Sequence, residues 1–125
     1  MPPRIAPIRV LVVEDETFIR IDAVELLDAA GFDMLEAGSA DEAIRILESE
    51  PAIQLVFTDI EMPGSMSGLA LAAVVSERWP TVGIIATSGH FKVQAGDLPD
   101  RARFFTKPYQ PAQIIDAVHE LTAKD

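Results

Sequence analysis

The sequence predicts an α/β fold, a three-layer sandwich in which helices cover both faces of a five-stranded parallel sheet. Two observations carry this. Five short apolar runs, at residues 8–13, 32–37, 53–58, 82–87 and 102–106, have the lengths of buried strands. The stretches between them repeat their apolar residues at helical spacing, the alternation that feeds right-handed crossovers.

The first helix is expected over about 16–30, with Ile19, Ala23, Leu26, Leu27 and Ala30 on one face and Gly31 as the stop. The second starts at Ser39, where Ser39 and Glu42 form a capping-box pair whose side chains can each satisfy an orphan amide. Its buried stripe is Ala40, Ala43, Ile44 and Leu47, and Pro51 ends it. The third begins near Gly68, turns Leu69, Ala72, Val75 and Trp79 inward, and stops at Pro80. Residues 90–101 carry Gly96 and Pro99, so a short or irregular fourth helix is expected there, mobile over 91–99. The last helix runs over about 110–122, with Pro111 in its first turn and Ile114, Val118 and Leu121 on one side.

At 125 residues the chain is one domain's worth of material, since domains most often run about 100 to 150 residues. A 49% apolar and 24% charged composition is that of an ordinary globular domain. Twenty Asp plus Glu against ten Lys plus Arg give a net charge of -10, which repels phosphate backbones and argues against direct nucleic-acid binding. The absence of Cys excludes disulfides, thiolate nucleophiles and cysteine-held metals. No apolar run reaches the roughly 20 residues of a membrane span and no secretory leader is present, so a cytoplasmic setting is expected.

The unusual residues fall where strands end. Glu14 and Asp15 follow the first strand, Asp59 the third, Thr87 and Ser88 the fourth, and Lys107 the fifth. Taken singly they are ordinary: acids in a helix's first turn, a turn aspartate, a surface lysine, a Ser-Gly loop start. In a parallel sheet they all emerge on one edge, where ligands of such sheets bind. Three carboxylates there repel one another unless cations offset them. Lys107 supplies one positive charge, and a hard divalent ion held by Glu14, Asp15 and Asp59 would supply the rest. Oxygen donors without His or Cys favour Mg2+, with Mn2+ as the alternative. A lysine and a serine beside such an ion suit a phosphoryl group, with Asp59 as nucleophile and Lys107 and Ser88 holding phosphoryl oxygens.

The chain resembles the receiver domain of bacterial two-component response regulators over about residues 7–123. The resemblance rests on Val10-Leu11-Val12-Val13-Glu14-Asp15-Glu16, on Asp59-Ile60-Glu61-Met62-Pro63-Gly64 with Gly68-Leu69 beyond, on Thr87-Ser88-Gly89-His90, and on Phe105-Thr106-Lys107-Pro108-Tyr109. It implies a chemotaxis-regulator-like, flavodoxin-like sheet of order 2-1-3-4-5. It further implies that Asp59 takes a phosphoryl group from a histidine kinase, a histidine phosphotransferase or a small phosphodonor, with Mg2+. The ion is then bound by Glu14, Asp15, Asp59 and the backbone carbonyl of Glu61. Ser88 matches the family's switch hydroxyl and Phe104 its switch aromatic, which together alter a surface offered to a downstream protein. Glu61 and His90 match positions that influence phosphoryl lifetime, with Thr87 as an accessory residue. The Lys107-Pro108 bond resembles one that is cis in the family and aims the ammonium.

Two departures accompany the match. The loop after Asp59 is one residue longer than the commonest pattern, and the span from Ser88 to Lys107 is about three residues short. The alternatives are a phosphorylation-independent scaffold on the same fold, or a flavodoxin-like redox protein or hydrolase, since layer architecture alone does not separate them. With no effector in view, the chain is expected to be a stand-alone regulator, a phosphate shuttle, or a domain cut from a longer protein.

Overall fold

The structure is a computed structural model and describes residues 7–62, 66–89 and 98–123. The elements are β1 (Arg9–Val13), α1 (Thr17–Ala29), β2 (Asp33–Ala37), α2 (Ala40–Ser49), β3 (Leu55–Asp59), α3 (Gly68–Arg78), β4 (Gly83–Ser88), β5 (Ala102–Thr106) and α4 (Pro111–Thr122). The five strands form one parallel sheet in the order β2-β1-β3-β4-β5, as the resemblance implies. The expected segment of irregular helix over 90–101 falls largely outside the described residues, as do His90 and the loop residues Pro63, Gly64 and Ser65.

Alternation along the strands divides the core into two apolar layers. Leu11, Val13, Val56 and Ile84 point to one face, where α2 brings Ala43 and Leu47 and α3 brings Leu71 and Val75. Val10, Val12, Leu55, Phe57 and Ile85 point to the other, against Ala23 and Leu27 of α1 and Ile114 and Val118 of α4. Strands β3 and β4 are buried throughout, whereas the edge strands β2 and β5 consist of half-buried and exposed residues apart from the buried Ala37. Each fully buried Leu or Ile contributes about 1.5 to 3 kcal/mol, so this two-sided packing is what fixes the strand ends and everything mounted on them.

The helix ends follow their sequence signals with one change. Gly31 adopts φ 96°, its N–H donates to the Asp28 carbonyl, and the Phe32 N–H donates to the Leu27 carbonyl. That is a Schellman close, with Leu27 and Phe32 in the same apolar layer. At α2 the Ser39 hydroxyl accepts from the Glu42 N–H at 3.1 Å as expected, but the Glu42 carboxylate accepts from the Gly38 N–H rather than from Ser39. The Ser67 hydroxyl caps α3 by accepting from the Ala70 N–H.

Two helical faces differ in part from the expected ones. In α3, Leu71 joins Ala72 and Val75 in the core, while Leu69 and Trp79 are half-buried, Trp79 lying under the Arg78 guanidinium. In α1, Ala23 and Leu27 are buried as expected, but Ile19 in the first turn is 41% exposed.

Candidate functional site

The strand register carries distant residues to one edge. Val13 lies opposite Ala37 and Thr58, Asp59 opposite Thr87, and Ser88 opposite Thr106. The ladder continues one bond further at three places: Glu14 N–H donates to Ala37, Ile60 N–H to Thr87, and Lys107 N–H to Ser88, at 2.9 to 3.0 Å. The backbones of Glu14, Asp59, Ser88 and Lys107 are therefore set by the same hydrogen bonds that hold the sheet. Asp59 and Ser88 are the last residues of their strands, whereas the sequence places both just beyond them.

Around that edge the Lys107 ammonium lies 3.0 Å from Asp59 Oδ2 and 3.6 Å from Glu14 Oε1. Asp59 Oδ1 accepts from the Glu61 N–H at 3.1 Å, and Glu14 Oε2 accepts from the Glu16 N–H at 3.0 Å. Glu14 and Asp59 are 4% and 8% exposed, so both carboxyls have left bulk water. Burial pushes the Glu14 carboxyl up to about 7 against the pull of the Glu16 amide, and the Asp15 and Asp59 carboxyls beside it add to the rise. Burial draws the Lys107 ammonium down, yet its bond to Asp59 and the charges of Asp59 and Glu14 more than offset this and leave it raised.

Ser88 and Thr87 are buried, and Ser88 donates its hydroxyl proton to the Glu61 carboxylate. Asp15 is exposed at the mouth, and Phe104 is half-buried on β5 opposite Ala86. The Lys107–Pro108 bond is cis. A small cavity of about 10 Å3 opens here, lined among others by Glu14, Ile19, Asp59, Thr87, Lys107 and Tyr109. It is far smaller than the roughly 300 Å3 at which sites for cofactor-sized ligands begin, and leaves no room for a flavin. Tyr109 closes one wall with its ring edge-on to Phe57, and burial raises its phenol pKa.

Among the described residues no three His, Asp or Glu side chains already form a cage for a metal ion. The donor set nevertheless fits a hard cation. Two buried carboxyls face one ammonium, and Asp15 adjoins Glu14.

Two supports were not anticipated from the sequence. Arg20 donates to the Glu14 carbonyl at 2.8 Å and pairs with Glu36 at 2.9 Å, tying α1 to the end of β1 and to β2. A basic residue one helical turn beyond an acidic cluster was the available signal. Gly68, noted as a helix start, also lets α3 approach β3: its N–H donates to the Ile60 carbonyl at 3.1 Å. A Cβ there would stand 2.6 Å from Ile60 Cα, 2.9 Å from the Asp59 carbonyl carbon, and closer still to the Asp59 carbonyl oxygen.

With this geometry in place, comparison with known proteins gives a consistent result. Residues 10–119 match the profile of the response regulator receiver domain. The sensor kinase CckA of Brucella abortus is 33% identical over 119 residues, covering 92% of this chain and 12% of the kinase. The transcriptional regulatory protein PdtaR of Mycobacterium tuberculosis is 33% identical over 120 residues, covering 90% of this chain and 55% of the regulator. The chain thus spans only part of these relatives. The crystal structure of a response regulator receiver protein from Sinorhizobium medicae superposes with a TM-score of 0.86 at 32% identity, covering 93% of this chain and 94% of that one.

Proposed function

The chain belongs to the response regulator receiver domain family, whose work is phosphorelay signalling, and from that premise we propose that Asp59 is its phosphoacceptor. The observation that supports this most is the bond between Lys107 and Asp59 at the mouth of a small cavity, with Glu14 on its other side. An Asp59 carboxylate oxygen attacks the phosphorus of a phosphohistidine, and the P–N bond breaks. Its electron pair leaves with the imidazole, which takes up a proton, and an acyl phosphate remains. Lys107 neutralises charge on the transferred group, and the strand ladder holds Asp59 so that little motion is needed.

Mg2+, with Mn2+ as a substitute, would be held by Glu14, Asp15, Asp59 and the Glu61 carbonyl, and when bound it offsets phosphoryl charge. Glu14 must lose its proton to act as a ligand. Mg2+ affinity is therefore expected to climb as pH rises toward about 7 and to level off above it. The linked effect on the metal-free protein has the opposite sense. The folded state keeps a proton that the unfolded chain releases from 4.5 upward, so this group's contribution to stability falls between pH 4.5 and about 7. Mg2+ titrations at several pH values would check the first effect, and Glu14→Gln should flatten the profile.

The partner we propose is a histidine kinase or histidine phosphotransferase. Phe18 is 80% exposed and Ile21 40%, near the start of α1, where Ile19 lines the cavity, and they form an apolar patch of the kind that marks protein contacts. Phe18→Ser is expected to slow transfer from the cognate kinase about tenfold while leaving acceptance from acetyl phosphate within about twofold. Equal rates from both donors would remove Phe18 from the docking face.

Glu61 and His90 as lifetime residues, Ser88 and Phe104 as a switch, and a downstream protein target belong to the same proposal. So do a cytoplasmic setting and a single receiver domain. No helix among the described residues is long and apolar enough to cross a membrane. The function is tested by adding Mg2+ and acetyl phosphate or phosphoramidate. Intact mass should rise by one phosphoryl group, and Asp59→Asn should abolish the rise. A wild-type protein that gains no phosphoryl group even from its kinase would favour the scaffold reading.

A further inference from the structure

The contact between Ser88 and Glu61 joins β4 to the loop after β3, across 27 residues of sequence. Ser88 is fully buried at the end of β4, and its hydroxyl carries a single proton, here donated to Glu61 Oε1. Glu61 is bound to the same place by its backbone, whose N–H donates to Asp59 Oδ1. The acceptor aspartate and the carboxylate that holds Ser88 are thus two residues apart on one tethered segment, with the Glu61 side chain at the exposed mouth.

We propose that Glu61 is a positioning residue that holds the Ser88 hydroxyl in the resting protein and competes with a phosphoryl group for its proton. This rests on the reading of Asp59 as phosphoacceptor and goes beyond it. A phosphoryl group on Asp59 brings anionic oxygens to this edge, and Ser88 can give its one proton to only one acceptor at a time. Engaging the phosphoryl group therefore requires the Glu61 carboxylate to release Ser88 and turn toward solvent. Glu61 opposes the phosphorylated arrangement in two ways: it occupies the donor, and it places a negative charge beside the incoming one. Phosphorylation is then an exchange of one charge-assisted hydrogen bond for another, so the switch is balanced closely enough for other contacts to tip it.

Two measurements test this, one of which needs no phosphoryl chemistry. In the unmodified protein, a double-mutant cycle of Glu61→Ala and Ser88→Ala should show a coupling of about fivefold or more in the unfolding equilibrium constant, as expected of a hydrogen bond to a charged group. Additive effects would overturn the contact, whatever the outcome of the phosphorylation assays.

In the second, initial rates of phosphoryl gain from acetyl phosphate are compared with decay rates, giving the phosphorylated fraction at steady state. Glu61→Ala should raise the ratio of phosphorylated to unphosphorylated protein about tenfold, and Glu61→Gln, which keeps an acceptor without the charge, by less. In a Ser88→Ala background the Glu61→Ala gain should largely disappear. A gain that persists undiminished without Ser88, or an equal gain for Gln and Ala, would mean that Glu61 acts by charge alone and would refute the holding role. An absent phosphoryl gain in every variant would count against Asp59 chemistry, and the unfolding cycle would still decide whether Glu61 holds Ser88.

Discussion

Replacing Lys107 with alanine is expected to slow phosphoryl acceptance at Asp59 by about 100-fold, the cost typical of removing one preorganised stabilising donor. The reason lies in the charge balance. Lys107 bridges Asp59 at 3.0 Å and Glu14 at 3.6 Å, and without it two nearly buried carboxyls face each other with no fixed cation between them. Removing one partner of a buried pair costs about 3 to 5 kcal/mol, but the Lys107 side chain is 27% exposed and water can replace part of its role. A stability loss of about 1 to 2 kcal/mol is therefore expected, small enough for the variant to fold. Rates of intact-mass gain in Mg2+ and acetyl phosphate, with chemical denaturation alongside, would check both parts. A rate within threefold of the wild type would remove Lys107 from the chemistry.

The second large effect is expected at Gly68. An alanine there places its Cβ within 2.9 Å of the Ile60 Cα and the Asp59 carbonyl carbon, and neither can rotate away as a side chain would. Overpacking commonly costs about 1 to 3 kcal/mol, and backbone against backbone lies at the upper end. Gly68→Ala should lower the melting temperature by on the order of 10 °C. Because the relief has to come from moving α3 or the end of β3, it should also displace Asp59 and reduce phosphoryl acceptance by more than about tenfold. Gly89→Ala is the control. Its Cβ would meet Lys107 Cβ at 4.0 Å, an ordinary contact, and the change is expected to stay within about 0.5 kcal/mol.

The sequence announced the layers because period and length are local properties. Runs such as 82–87 and stops such as Gly31 and Pro80 need no partner to be recognised. The convergence of Glu14, Asp59, Ser88 and Lys107 was legible for a related reason: once the sheet is parallel, the strand ends share an edge. What was not legible depends on rotation and reach. The inward face of α3 includes Leu71 rather than a fully buried Trp79, because the helix's rotation is set by packing on β4 and α2. Ile19 reads as core by its spacing, yet is 41% exposed and lines the cavity. The bonds from Ser88 to Glu61 and from Arg20 to the Glu14 carbonyl join residues whose proximity only the folded chain creates.

The most direct test maps the modified residue. After reaction with acetyl phosphate and Mg2+, borohydride should reduce an aspartyl phosphate to homoserine, and peptide sequencing by mass spectrometry should place homoserine at position 59. Labelling should vanish when a chelator removes the divalent ion. Homoserine at any other carboxylate, or stable phosphate on a hydroxyl residue with position 59 intact, would contradict the assembly of Glu14, Asp15, Asp59 and Lys107 into one phosphate-accepting pocket.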